Sequence, residues 1–292
     1  MSSLPAPSHT LKQPISYQLS GQADNIDERD RANPLAVSEY AQDIYSHFRV
    51  QERTVSPRLG YMERQPQINE KMRSVLVDWL VSVQTQFKLK SETLYLTVNI
   101  IDRYLGCSEV QRCKLQLVGA TSLFIAAKYE EVYNCPRVGD IVLICDNLYP
   151  RQEIVQMETI ILCALGFKIS VPTAYSFLLR YLKAGHADTQ IENLASYILE
   201  GTLQSYSLLT YLPSQLAGAS VLLARDATAR NAWSPTLLKY SEYYEEEMIP
   251  VARNILECKA SAAPELTAVN KKYSSRRFGR AAKTDLPPMW YR

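Results

Sequence analysis

The chain has 292 residues, enough for two domains of ordinary size, and 47% of them are hydrophobic, enough for real cores. Its net charge of +2, with 21% charged residues, lacks the clustered basic face expected of a nucleic-acid-binding protein. The N-terminus has no apolar signal core, and no Asn-x-Ser/Thr sequon occurs.

Residues 1–36 hold Pro5, Pro7, Pro14 and Pro34 among many Ser, Gln and Asn, and read as a mobile arm without periodicity. A helical pattern starts at Val37 and runs through Tyr40, Ala41, Ile44 and Phe48. This amphipathic helix stands before the main body and either packs on its own domain or docks a partner. Pro66 closes a loop, and Asn69 can cap a helix carrying Met72, Val75, Leu76, Trp79, Leu80, Val83 and Phe87 at helical spacing. Arg73 and Asp78 lie inside that helix. Ser91 is expected to cap the next one, with Leu94, Val98, Ile101 and Leu105 as its core stripe and Asp102–Arg103 interrupting it.

The third helix, over 115–131, is the centre of the chain. From Leu115 to Ala127 it carries no charge. A helix apolar on every face must be wrapped by others, and this one is shorter than the roughly 20 residues that span a bilayer. Gly119, Ala120, Ala126 and Ala127 let neighbours approach closely. Gly119 costs about 1 kcal/mol relative to Ala in a helix interior, so a neighbour should need the space. Lys128 suits the helix end, while Glu130 and Glu131 oppose the dipole there. Such a charged mouth is either a solvated end or a surface to be read. Pro136 precedes a short helix over 138–145. Pro150 opens a fifth with Ile154, Met157, Ile161 and Leu165 on one face, which Gly166 stops.

After the linker Val171–Pro172 the scheme starts again. Thr173 should cap a helix over 174–183 that ends at Gly185. A second runs over 191–208, and Pro213–Ser214 opens a third. Gln116-Leu-Val-Gly-Ala-Thr121 matches Gln215-Leu-Ala-Gly-Ala-Ser220 at an offset of 215 − 116 = 99 residues. The same shift aligns Trp79-Leu80 with Leu178-Leu179. This is an internal duplication of two five-helix units, each around a small-residue helix. Ser234–Pro235 starts a short fourth helix, and a last one covers 243–259 with Pro250 inside it. The expected divisions are thus an arm (1–36), the leading helix with the first unit (37–170), the second unit (171–262) and a basic tail (263–292). Between residues 271 and 292 the tail holds seven Lys/Arg against one acid, Asp285. It reads as a solvated tail or as an import or docking segment.

The six cysteines form no Cys-x-x-Cys pair and fall mostly in apolar helical stretches, so they read as reduced core thiols of an intracellular protein. Phosphate-loop, zinc-protease and nucleophile-elbow motifs are missing, and His9, His47 and His186 are scattered. No metal, cofactor or catalytic residue is therefore expected.

Met72-Arg-Ser-Val-Leu-Val-Asp-Trp-Leu80, Ile100-Ile-Asp-Arg-Tyr104, Lys114-Leu-Gln-Leu-Val-Gly119, Ala127-Lys-Tyr-Glu-Glu131 and Met157-Glu158 together resemble the cyclin box of A- and B-type cyclins. The likeness extends in order to Lys259 and returns at Lys271-Lys-Tyr273. Pro34-Leu-Ala-Val-Ser-Glu-Tyr40 and the Lys-Tyr-Glu-Glu form look B-like, whereas Gly60-Tyr-Met62 and Gln65-Pro-Gln67 look A-like. The resemblance implies an all-α cyclin fold of two tandem five-helix repeats plus an N-terminal helix. It implies a non-catalytic subunit that binds and activates a cyclin-dependent Ser/Thr kinase in the nucleus and cytoplasm, controlling the G2/M or S/G2 transition, with no nucleic-acid or membrane partner.

By the same resemblance Lys128 and Glu158 meet the kinase, beside Ile125, Tyr129, Leu162, Phe167 and Ile169, with Tyr40 and Ile44 of the leading helix. Met72, Val75, Leu76, Trp79, Leu115 and Gln116 match a patch that takes Arg-x-Leu peptides of substrates or inhibitors. Ser82 stands where a carboxylate often meets the peptide's basic residue, so an altered motif preference is expected. Arg73 and Asp102 are implied to pair inside the first repeat. No Arg-x-x-Leu destruction box or Lys-Glu-Asn box occurs in 1–36; Arg-x-x-Leu strings at Arg73, Arg112 and Arg253 lie in or beside helices. A turnover signal is expected outside the printed chain or in another form. Two other classes compete: a cyclin-fold transcription initiation factor, which needs a zinc ribbon or a basic face, and an all-α enzyme, which the empty motif search disfavours.

Overall fold

The computed structural model describes residues 22–230 and 233–286; of the arm and tail expectations, 1–21 and 287–292 lie outside it. Every regular element among the described residues is helical. The leading helix α1 (Ala41–Val55) is followed by α2 (Glu70–Phe87), α3 (Ser91–Cys107), α4 (Leu115–Glu130), α5 (Val138–Ile144) and α6 (Arg151–Ala164). The second unit holds α7 (Ala174–Ala184), α8 (Thr189–Thr202), α9 (Pro213–Ala227), α10 (Pro235–Ser241) and α11 (Glu245–Ala260), and a last helix, α12 (Ala268–Tyr273), follows.

Each unit is built around its small-residue helix. Every residue of α4 from Leu115 to Ala127 except Gln116 is buried, and α2, α3, α5 and α6 pack around it. Helix α9 plays the same part among α7, α8 and α11. A Cβ on Gly119 would come within 2.7 Å of Leu76 on α2, and one on Gly218 within 2.8 Å of Met248 on α11. The duplicated glycine thus marks where a side chain of a neighbouring helix presses onto the central helix in each unit.

Several boundaries differ from the sequence expectation, each for a local reason. The leading helix starts at Ala41, not Val37: Pro34–Ala36 form a 3-10 turn, Asn33 accepts from the Leu35 amide, and Val37 leaves that turn at φ 48°. Asn69 caps α2 by accepting the Met72 amide, but Ser91 is already inside α3. The free end of α3 is served by Glu131, whose carboxylate accepts from the Lys90 amide and the Thr93 hydroxyl, both at 2.6 Å. A glutamate that opposes the dipole of its own helix therefore satisfies the start of the helix beside it. Helix α8 stops at Thr202 rather than continuing to 208, because the Leu203 and Gln204 carbonyls accept from Arg73 and Ser74 of the first unit. Among the cysteines Cys145 is buried, its thiol pushed up to about 11 by burial, and Cys258 is half-buried against the core, so the expectation of core thiols fails for the four exposed ones, Cys107, Cys113, Cys135 and Cys163.

The two ends also differ from expectation. Residues 22–31 are strapped to the second unit: Ile26 is buried, Asp27 binds Arg180, and the Asp24 amide donates to Thr236. Within residues 264–286 the chain also packs on both units. Lys272 and Tyr273 are buried, and both donate to the Glu200 carboxylate at 2.6–2.9 Å. Lys272 also donates to Gln84 on α2, and the Ala268 amide to Asp78. The basic residues here are thus not all solvated, because α12 wedges between the units and spends one of its lysines inside.

No described helix is long and apolar enough to cross a membrane, and the described residues hold no group of three metal-ligating side chains.

Candidate docking surfaces

Three groups of predicted residues can be followed from the helices that carry them. The first is internal. Arg73 on α2 and Asp102 on α3 are both buried and form a two-pronged pair, Nε to Oδ1 at 2.6 Å and Nη2 to Oδ2 at 2.7 Å. The Tyr61 hydroxyl donates to the same carboxylate at 2.7 Å, and the third guanidinium nitrogen donates to the Leu203 carbonyl at 2.9 Å. Burial works against the Arg73 charge, yet the Asp102 carboxylate holds its pKa above the usual value. Burial, helped by Asp102, likewise keeps the Tyr61 hydroxyl protonated. All the strong donors and acceptors are used within the fold, which suits a structural joint.

The second group lies where α4 ends against α6. Lys128 projects from the last turn of α4 and pairs with Glu158 on α6. Its ammonium also sits 4.4 Å from the centre of the Phe124 ring. The two charges are thus already paired to each other, the intramolecular alternative to projecting separately. Around them Tyr129 and Phe167 are 52% and 66% exposed, and Leu162 and Ile169 are half-buried. Phe167 is held outward at φ 57°, just past Gly166 at φ 58°, where the left-handed turn ends α6. Ile125 does not belong to this surface: it lies almost one turn deeper in α4 and is 3% exposed, so the core claims it. Tyr40 and Ile44 at the start of α1 are exposed. Exposed aromatic rings at the ends of the two helices that carry a charged pair are the composition of a protein interface.

The third group lies on α2 and the start of α4, where Leu76 meets Gly119. The close approach at Gly119 brings Leu76 onto α4. Leu115 and Gln116 lie one turn before Gly119 on that same side, and Met72, Val75 and Trp79 flank Leu76. Leu76 and Leu115 are buried and form the floor; Met72, Trp79 and Gln116 are half-buried, and Val75 is exposed. Trp79 packs on a second apolar cluster containing Leu117, Phe124, Ile141 and Cys145, with Ile144 beside it. These partners of Trp79 are not legible in the sequence: α4 is apolar on every face and α5 spans only seven residues, so periodicity does not say which of their side chains turns to α2. Ser82 is exposed and its hydroxyl turns back to the Asp78 carbonyl. The Asp78 carboxylate itself is engaged by Gln204 and Ala268.

Comparison with known proteins agrees with this architecture. The cyclin N-terminal domain family matches residues 43–170 and the cyclin C-terminal domain family residues 172–287. Cyclin-B2-1 of Oryza sativa subsp. japonica is 45% identical over 263 residues, 89% of this chain and 62% of the rice protein. The chain therefore spans about three fifths of the length of that relative. The G2/mitotic-specific cyclin-B of Hydra vulgaris is 44% identical over 258 residues, 88% of this chain and 71% of its own. Among solved structures, a viral cyclin from herpesvirus saimiri superposes with a TM-score of 0.67 at 20% identity, covering 75% of this chain and 97% of its own. Two helical units with matching centres, both domain families in order, and 44–45% identity to B-type relatives over nearly nine tenths of this chain agree: the chain belongs to the cyclin family, in its mitotic branch.

Proposed function

We propose that the protein binds a cyclin-dependent Ser/Thr kinase and activates it as a non-catalytic regulatory subunit, in control of the G2/M transition. The observation that carries this reading is the Lys128–Glu158 pair where α4 meets α6, with exposed Tyr129 next to Lys128 in the chain and exposed Phe167 just past the end of α6. Such a surface activates by binding the active arrangement of the kinase better than the inactive one, since a binder of equal affinity for both would shift nothing. Each of the two charges can exchange its internal partner for backbone groups of the kinase; Lys128 is 43% exposed, whereas Glu158, at 13%, must keep a hydrogen-bonding partner when it does so. The patch around Trp79 recruits substrates or inhibitors with an Arg-x-Leu segment, and with Ser82 in place of a carboxylate it reads the apolar residue more than the basic one. The complex acts in the nucleus and cytoplasm.

The test is calorimetry of the chain with a cyclin-dependent kinase, with circular dichroism as the folding control. Lys128→Ala with Glu158→Ala is expected to weaken binding by more than about tenfold, as truncation of desolvated charged contacts does. Native affinity in a folded double variant would sink the assignment.

A further inference from the structure

The leading helix α1 is held by the second unit more than by the first. Glu52, buried on α1, accepts from the Ser214 amide at 2.9 Å and the Ser214 hydroxyl at 2.7 Å. Arg49 donates to the Tyr181 and Ser214 hydroxyls, and the Tyr45 hydroxyl donates to the Ser176 carbonyl. The Tyr45 and Phe48 rings pack edge-on to Phe177. The outer end of α1 carries the exposed Tyr40 and Ile44. The proposed kinase surface is therefore made of two bodies: α4 and α6 of the first unit, and a helix mounted on the second.

Residues 24–30 add a layer to that mounting. Three aspartates, each three residues from the next, meet three basic residues on and just after α7 with the same spacing. Asp24 lies 2.9 Å from His186, Asp27 binds Arg180 at 2.5 and 2.7 Å and Lys183 at 3.0 Å, and Asp30 binds Lys183 at 2.5 Å. Arg180 is the centre. It is 6% exposed, and its guanidinium lies between two rings, 5.0 Å from Tyr45 of α1 and 4.7 Å from Tyr240 of α10. Its charge holds the Asp27 carboxyl below the ordinary value. A nearly buried guanidinium without its carboxylate must find water or another anion, and either move pulls it off the Tyr45 ring.

We infer that Asp27 and Arg180 are positioning residues for kinase docking: the strap's carboxylate fixes the guanidinium against Tyr45, and Tyr45 sets the pose of α1 and hence of Tyr40 and Ile44. The inference rests on the kinase-docking reading above and extends it to residues outside the docking surface. It also gives the second unit a part in docking, as the pedestal of α1.

The experiment has two arms, both on the full chain. Hydrogen–deuterium exchange of the free protein reads the amides of α1, with those of α4 as internal control. Calorimetry reads affinity for a cyclin-dependent kinase. Asp27→Asn is expected to speed exchange in α1 and leave α4 unchanged. It should weaken kinase binding about tenfold, as when the competent population of α1 falls to about a tenth. Asp27→Glu, which keeps the charge, is expected to restore both. Unchanged exchange in α1 overturns the inference, whatever the affinity. Faster exchange with native affinity also overturns it and leaves the docking reading standing. A parent protein that does not bind the kinase sinks the docking reading and the positioning role with it, whereas faster α1 exchange in Asp27→Asn would still support the clasp between strap and helix.

Discussion

At the scale of single residues, the charges in this protein divide by whether water reaches them. Arg73 and Asp102 are sealed in, fully hydrogen-bonded and tied to the second unit through Leu203. Lys128 and Glu158 form a single-contact pair nearer the surface, its lysine 43% and its glutamate 13% exposed. Arg73→Ala would strand the Asp102 carboxylate with only Tyr61 as donor. A loss of roughly 3–5 kcal/mol is expected for one partner of a buried pair. A thermal melt followed by circular dichroism checks it, and a melting temperature equal to the parent's would show that the pair contributes nothing. Arg73 was legible in the sequence as a charge on an otherwise apolar stripe, and its partner came from the family resemblance. The Leu203 carbonyl was not legible, because a backbone acceptor leaves no mark in the order of side chains.

At the scale of elements, the duplicated glycines separate two kinds of close approach. A Cβ at residue 119 would press on three atoms of Leu76 between 2.7 and 3.1 Å, including its branch point. At residue 218 it would press only on the sulfur of Met248 at 2.8 Å, with the next atom at 3.7 Å. A leucine head wedged in a core cannot swing aside, whereas an unbranched thioether can. Gly→Ala in a helix gains up to about 1 kcal/mol of propensity, and overpacking costs about 1–3 kcal/mol. Gly218→Ala is therefore expected to be close to neutral, and Gly119→Ala to lose stability and to displace Leu76 in the floor of the Trp79 patch. Urea titration of the two variants checks the order; equal midpoints would overturn it. The helices and their centres were readable because both rest on local periodicity and on a repeat with a fixed offset. Helix ends were less so: α3 is capped by Glu131, some 40 residues on, and α8 is cut short by side chains of another unit.

At the scale of the whole molecule, both ends of the described chain work as fasteners, which the composition of the termini concealed. The aspartates of the strap meet partners 153 to 162 residues away, and Lys272 lies 72 residues from Glu200 and 188 from Gln84. No window of sequence holds both halves of such a pair, so the polar letters of either terminus suggested solvent. Lys272→Met keeps most of the volume but leaves Glu200, fully buried, with the Tyr273 hydroxyl as its remaining hydrogen-bond donor. Loss of roughly 3–5 kcal/mol is expected. Calorimetric melting checks this, with loosening of both units together as the sign that α12 joins them. A variant that melts like the parent would reduce α12 to a passive cover.

The mounting of α1 on the second unit has a consequence for how the chain is made. Arg49 reaches Tyr181 and Ser214, 132 and 165 residues further along, so the leading helix leaves the ribosome long before its seat exists. At roughly 5–20 residues per second, that interval is on the order of ten to thirty seconds. During it the Tyr45–Phe48 face is bare, while the first unit, whose contacts are largely its own, can begin to fold. A nascent chain at that stage has an unseated hydrophobic helix and a first half still waiting for Leu203, Ala268 and Lys272 to complete its joints, the kind of transient that chaperones capture.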